Sequence, residues 1–197
     1  MTPYDFIGYA PDIDPTTPGV IVDCNQIVPS FRGFESAPRN EDAGITALPA
    51  ACRGSAVLLK PDETTRFFAG TSGKLYEEAS NLWTEVTRSA GGDYTLASDA
   101  KWVFSQFGAV SLAAQRGDIL QASVSSGKYA DISGAPKAAI VETVNNFVFA
   151  FDTDGSAFGD SPNRWHCSAL GDYSDWTPSI ATQCASGTLT SSPGRIL

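Results

Sequence analysis

Ala56-Val-Leu-Leu-Lys60, Arg66-Phe-Phe-Ala-Gly70, Lys74-Leu-Tyr-Glu77 and Leu82-Trp-Thr-Glu-Val86 follow one another with only a few turn-forming residues between them. Each run is about as long as a strand and rich in β-branched or aromatic residues. The separators (Asp, Glu, Thr, Ser, Gly and Asn) suit tight turns, so the spacing predicts an antiparallel meander. No helical periodicity is sustained anywhere; the i, i+3 trace over residues 76–82 is too short to compete.

The same order recurs downstream. Trp102-Val-Phe104, Val110-Ser-Leu-Ala-Ala114, Asp118-Ile-Leu-Gln121 and Tyr129-Ala-Asp-Ile132 form a second set. Ala139-Ile-Val141, Phe147-Val-Phe-Ala-Phe151, Arg164-Trp-His-Cys167 and Trp176-Thr-Pro178 form a third. An aromatic opens or centres the last run of each set, at Trp83, Tyr129 and Trp176, 46 and 47 residues apart. A period in the mid-forties with four strands per unit is the pattern of propeller blades. The expected fold is therefore all-β: about three propeller-like four-stranded antiparallel repeats over residues 54–197. Closed propellers have roughly four to eight blades, so three units would need strands from the arm or from other chains to complete a ring. In the third unit, Asp152-Thr-Asp-Gly-Ser-Ala-Phe-Gly-Asp-Ser-Pro162 reads as a long acidic loop inserted between the second and third strands.

Residues 1–53 differ in kind. Prolines at 3, 11, 15, 18, 29, 38 and 49 rule out sustained helices and central strands. The apolar runs Val20-Ile-Val22 and Ile27-Val28 are the remaining strand candidates, so this stretch reads as an extended N-terminal arm with edge strands, ordered by lying on its own body or on a neighbour.

Composition narrows the function classes. The 197 residues carry 13 Lys and Arg against 22 Asp and Glu, a net charge of −9. An isoelectric point near 4.4 argues against a protein that grips nucleic-acid backbones. The same charge repels DNA at a distance, which suits a wall that DNA slides past. Mean hydropathy is −0.10 and no apolar run reaches the roughly 18 residues of a membrane-spanning helix, so membrane insertion is not expected. The start lacks a basic segment followed by an apolar one, so no secretory signal is expected.

Catalytic signatures do not assemble. Cys24, Cys52, Cys167 and Cys184 are separated by 28, 115 and 17 residues, without a C-x-x-C pair, and read as buried free thiols. The single histidine, His166, leaves little for a proton relay or a His-based metal site. Asp152-Thr-Asp154-Gly155 starts like a calcium loop but departs from it at Ser156, Ala157 and Asn163. Thr153-Asp-Gly-Ser-Ala-Phe158 and Ser125-Ser-Gly-Lys-Tyr129 miss the Asp-box spacing of sialidase-type propellers. The carboxylates Glu77, Glu78, Asp118, Asp131 and Glu142 have no visible reason to converge, as glycoside hydrolysis requires. No Gly-x-Ser-x-Gly, P-loop or Gly-x-Gly-x-x-Gly sequence occurs. The expectation is a non-enzymatic protein without catalytic, cofactor-binding or metal residues and without a cofactor. Trp83, Tyr129, Trp165 and Trp176 read as packing aromatics before they read as a stacking platform for sugars or bases.

Two segments carry a family resemblance. Asp14-Pro-Thr-Thr-Pro-Gly-Val-Ile-Val-Asp-Cys24 with Ile27-Val-Pro-Ser-Phe-Arg-Gly-Phe-Glu-Ser-Ala-Pro38 resembles the opening of structural tail and neck proteins of short-tailed bacteriophages. In those proteins an extended N-terminal segment leads into propeller-like β repeats. Trp165, Ser168, Gly171-Asp172 and Trp176, written W-x-x-S-x-x-G-D-x-x-x-W, look like a strand and turn of the same proteins. The resemblance implies a virion component of the tail hub, nozzle or neck kind, assembled in the host cytoplasm. It further implies a homo-oligomeric ring around the DNA exit path that touches other tail or neck proteins, with DNA passing during ejection without specific binding. A carbohydrate- or receptor-binding propeller of the tail-adhesin type and a propeller-type glycosidase are the competing expectations.

Overall fold

The structure, a computed structural model, describes residues 8–30, 33–37, 41–124, 126–155, 159–191 and 194–196. Among these residues there are sixteen strands and no helix. The chain divides into two compact units, Met1–Ala43 and Gly44–Leu197.

In the first unit β1 (Gly8–Tyr9) pairs in parallel with β2 (Val20–Ile21), and β3 (Ile27–Ser30) pairs antiparallel with β4 (Gly33–Ser36). Pro29 is tolerated in β3 because a two-stranded sheet consists only of edges. Asp14 Oδ1 accepts bonds from the Thr16 amide (2.8 Å) and hydroxyl (2.7 Å), closing a turn and holding the Asp14 carboxyl below its usual range. Phe31, Arg32 and Pro38 of the N-terminal motif lie outside the described residues.

Residues 44–53, expected in the arm, bond within the second unit. The Thr46 amide donates to Asn81 O (3.0 Å), the Arg53 amide to Gly70 O (2.7 Å), and the Trp102 amide to Arg53 O (2.9 Å). Composition hid this, because the arm-like segment around Pro49 is anchored only at its ends.

The second unit holds three four-stranded antiparallel sheets, each built from strands consecutive in sequence. The first comprises β5 (Ser55–Leu59), β6 (Thr65–Gly70), β7 (Leu75–Ala79) and β8 (Leu82–Glu85). The second comprises β9 (Val103–Phe107), β10 (Val110–Ala114), β11 (Gln121–Val124) and β12 (Ala130–Asp131). The third comprises β13 (Lys137–Val144), β14 (Phe147–Gly155), β15 (Gly159–Cys167) and β16 (Ala185–Thr188). Two-residue connections close several hairpins. Ser80 and Asn81 take φ of 54° and 65°, the paired left-handed geometry of a type I′ turn, whereas in the 108–109 and 145–146 turns the first residue alone, Gly108 (57°) or Asn145 (52°), is left-handed.

Three expected boundaries move. The third strand of the second sheet lies at Gln121–Val124 instead of residues 118–121, because Asp118 is engaged by Arg88 and Gln115. Residues 152–162 are not a plain loop. β14 and β15 pair out to Gly155 and Gly159 after a register shift between Phe151 and Thr153, while residues 156–158 lie outside the described ones. The last strand of the third sheet is β16, not Trp176-Thr-Pro178. Pro178 has no amide to donate, Asp175 Oδ1 takes the Thr177 amide at 2.9 Å, and Trp176 turns inward, donating Nε1–H to Tyr173 O.

Alternation places one core between each pair of neighbouring sheets. Phe68, Leu75, Ala113 and Tyr129, with Phe104, fill the space between the first and second. Leu112, Ala122, Val141, Val148, Ala150 and Trp176 fill the space between the second and third. The opening strands lie side by side, β9 against both β5 and β13. Of the three periodic aromatics, Tyr129 (1% exposed) and Trp176 (3%) are core plugs. Trp83 instead lies half-buried at the first sheet's outer face, its ring 5.2 Å from Phe67 and its Nε1–H on Thr46 O.

Candidate functional site

The expected carboxylates are dispersed. Glu77 is taken by Arg66, which forks onto it at 2.6 and 2.8 Å and also donates to Ser123 Oγ across the sheet boundary. Glu78 accepts the Asn81 amide in a turn, and Glu142 is exposed on β13. Only Asp118 and Asp131 are brought together, by Arg88 at 3.1 and 2.9 Å, with Gln121 Nε2 on Asp131 at 2.7 Å. The guanidinium also lies 4.6 Å over the Tyr94 ring. Two carboxylates gathered onto a permanent cation form a tie between the first and second sheets, not an acid–base pair.

His166 and Cys184 meet with Nε2 3.7 Å from Sγ. Burial pushes the Cys184 thiol up to about 11, and burial, followed by the Arg164 charge, lowers His166 below its ordinary value. A nucleophilic cysteine needs the opposite on both sides, a stabilised thiolate and a retained imidazolium. The thiol donates to Cys167 O at 3.1 Å, and the imidazole stands edge-on to Trp176, 5.3 Å between ring centres. Cys167 and Cys184 are buried as expected of packed thiols, whereas Cys24 and Cys52 are exposed, since each lies in a segment with little chain over it.

A cleft of about 530 Å³ is lined by Asp99, Lys101, Arg116, Ile140, Asp152 and Arg195 among others. Asp152 falls at the register shift of β14 with φ of 51°, a left-handed conformation that Asp tolerates better than most residues. Its side chain is 1% exposed and held by Arg116 Nε on Oδ1 at 3.0 Å and Arg195 on Oδ2 at 3.5 Å, while Arg116 also pairs with Asp160. The cleft thus carries an electrostatic clasp joining the second sheet, the third sheet and residues 194–196. Among the described residues no group of three His, Cys, Asp or Glu side chains is placed to hold a metal ion.

The residues of the W-x-x-S-x-x-G-D-x-x-x-W segment act in packing. Ser168, fully buried, accepts the Val148 amide at 3.0 Å; Gly171 supplies a φ of 75°; Asp172 Oδ1 caps Ser174.

The remaining feature is a pair of partly exposed outer sheet faces. Register pairs across a sheet share a face. Val57 with Phe67, and Leu59 with Thr65, therefore lie on the first sheet's outer side, away from Phe68 and Leu58. Val57 and Leu59 are 62% and 60% exposed. On the third sheet's outer side Val144 pairs with Phe147, Glu142 with Phe149, and Phe151 with both Ile140 and Trp165. Phe149 stacks on Phe151 at 5.9 Å and meets Trp165 at 6.2 Å, and all four aromatics are only partly buried. Sequence reasoning missed these faces because an alternating strand reports that it has two sides, not which side finds a partner. No protein-family model and no curated protein matches the chain.

Proposed function

We propose that this chain is a non-enzymatic structural component of a bacteriophage virion, a tail hub, nozzle or neck subunit that forms part of a ring around the DNA exit path. The observation that carries the assembly half of this reading is the stack itself: three successive four-stranded meanders whose opening strands lie side by side, with Val57 and Leu59 exposed on one outer face and Val144 on the other. Sheets stacked radially with their first strands innermost make propeller blades, and exposed apolar side chains on the outer faces favour neighbours. The virion half rests on the resemblance carried by residues 14–38 and 163–177. The engagement of Glu77, Asp118, Asp131, His166 and Cys184 in packing or ion pairing supports a structural role over hydrolysis.

In this reading the clasps at Arg66, Arg88 and Arg116 keep the blades rigid against one another while DNA moves past. The net charge of −9 discourages the wall from holding the DNA backbone. Quantitative mass spectrometry of purified virus particles tests the assignment. A small symmetric copy number relative to the tail proteins supports it; hundreds of copies, or absence from the particle, overturn it.

A further inference from the structure

The Asp152 carboxylate is deeply buried and only half used. Oδ1 accepts the Arg116 Nε–H at 3.0 Å. Oδ2, among the described residues, accepts no hydrogen bond, and its ion-pair partner Arg195 stands 3.5 Å away. Each carboxylate oxygen can accept two bonds, and buried ones ordinarily find their donors. The two arginines are also held differently. Arg116 is 22% exposed and fixed between Asp152 and Asp160. Arg195 is 50% exposed and reaches the carboxylate without a hydrogen bond, while the next amide, of Ile196, donates to Pro162 O on β15 at 3.0 Å.

Space and charge agree with this reading of Oδ2 as underused. With Arg195 in place the cleft still offers about 530 Å³, many times the roughly 30 Å³ that one water fills. Val103, Ala139, Ile140 and Ile196 give it apolar walls suited to the methylenes of a long cationic side chain. Its charged lining sets Asp99, Asp152 and Asp154 against Lys101, Arg116 and Arg195. Just outside, Asp160 on Arg116 and Lys137 opposite Asp154 on the sheet balance one another. Lifting Arg195 away therefore leaves the cleft short of one positive charge.

We propose that this cleft is an arginine-binding socket, filled here by the chain's own Arg195 and open to the arginine of a separate extended peptide in its place. A dication is disfavoured, because Arg116 already lies on the other oxygen of the same carboxylate. An ammonium is strongly hydrated and presents a point charge. A guanidinium is weakly hydrated and offers a planar fork of donors, matching a buried oxygen with Asp99 and Asp154 lining the same cleft. The Pro162 carbonyl takes the backbone that accompanies the side chain, so the ligand is arginine within a peptide. The inference is independent of the virion assignment.

The test is isothermal titration calorimetry of acetyl-Gly-Arg-Ile-Leu-amide, which repeats residues 194–197, into the full chain as wild type and as Arg195→Ala. The variant is expected to bind the peptide about tenfold more tightly, the gain for a resident side chain that leaves the cleft open about a tenth of the time. The same peptide with lysine for arginine is expected to bind the variant more weakly. Asp152→Asn on the Arg195→Ala background keeps the left-handed backbone that Asn also accepts, and should abolish binding. Should that double variant fail to fold, amide shifts in ¹⁵N-labelled Arg195→Ala decide, with perturbations expected at Lys101, Gly117 and Ile140. Failure of the Arg195→Ala protein to bind the peptide overturns the proposal. So do equal affinities of wild type and variant, equal affinities for the arginine and lysine peptides, binding that survives Asp152→Asn, or shifts confined to residues away from the cleft.

Discussion

Gly70→Ala is expected to destabilise the protein far more than a methyl group suggests. Gly70 ends β6, its amide donating to Gly54 O at 2.8 Å, and the Trp102 indole fills the space a side chain would take. A Cβ built there would stand 2.5 Å from Cγ and 2.7 Å from Nε1 of that ring, and closer still to Cδ1. The ring has no escape. Trp102 is 4% exposed, meets Tyr94 edge-on at 4.8 Å, and donates Nε1–H to Thr71 O at 2.9 Å. Overpacking of this kind costs about 1–3 kcal/mol. Tilting the ring breaks the indole bond and strands a buried carbonyl, adding about 1–3 kcal/mol. Stiffening the unfolded chain returns up to about 1 kcal/mol. A net loss near 3 kcal/mol corresponds to about 6–12 °C in Tm at this chain length. Differential scanning calorimetry reads it directly. The matched control is Gly73→Ala, where the added atom meets only Tyr94 O at 3.6 Å and the expected change is neutral to slightly stabilising. A Gly70→Ala protein melting within about 2 °C of wild type would refute the claim that Trp102 is pinned.

Other outcomes follow from the ion pairs and titrating groups. Arg66→Ala leaves Glu77 facing a buried gap and is expected to cost about 3–5 kcal/mol by urea unfolding. Arg66→Met with Glu77→Gln should recover much of it, and a double variant no better than the single one would contradict the account. His166 binds its proton less readily folded than unfolded, so its contribution is present above the unfolded value of about 6.5 and is lost as pH falls below it towards the depressed folded value. As the chain has one histidine, His166→Gln should flatten the decline of stability with falling pH in that window; equal slopes in variant and wild type would argue against it. Native protein should expose two thiols to Ellman's reagent, Cys24 and Cys52, with Cys167 and Cys184 reacting only on unfolding. Four fast thiols would show the β15–β16 region to be open.

The meanders were legible because their evidence is local. Runs of Val, Leu, Phe and Trp separated by turn residues specify hairpins whatever surrounds them. What escaped depends on distant partners. Ala185-Ser-Gly-Thr188 has almost none of the composition of a strand; it is one because β15 offers an edge. Gly187 stands there because a Cβ would come within 2.8 Å of the Trp165 ring. Trp176 carried the strongest strand signal of its neighbourhood, yet fills a core from a loop. Arg88 finds Asp118 and Asp131 30 and 43 residues away, a meeting visible only once two sheets are stacked. The outer faces were illegible for the same reason: strand alternation is identical whether or not another sheet arrives.

Because each sheet closes with strands adjacent in sequence, the order of synthesis is also the order in which the molecule can take shape. A meander of this length leaves a ribosome in about 2–10 s, while hairpins form in microseconds. The first sheet can therefore be complete, with Arg66 already on Glu77 and Phe68 still wet, before the residues that will cover them exist. Each new sheet then acts as the nascent chain's own holdase for the one before it.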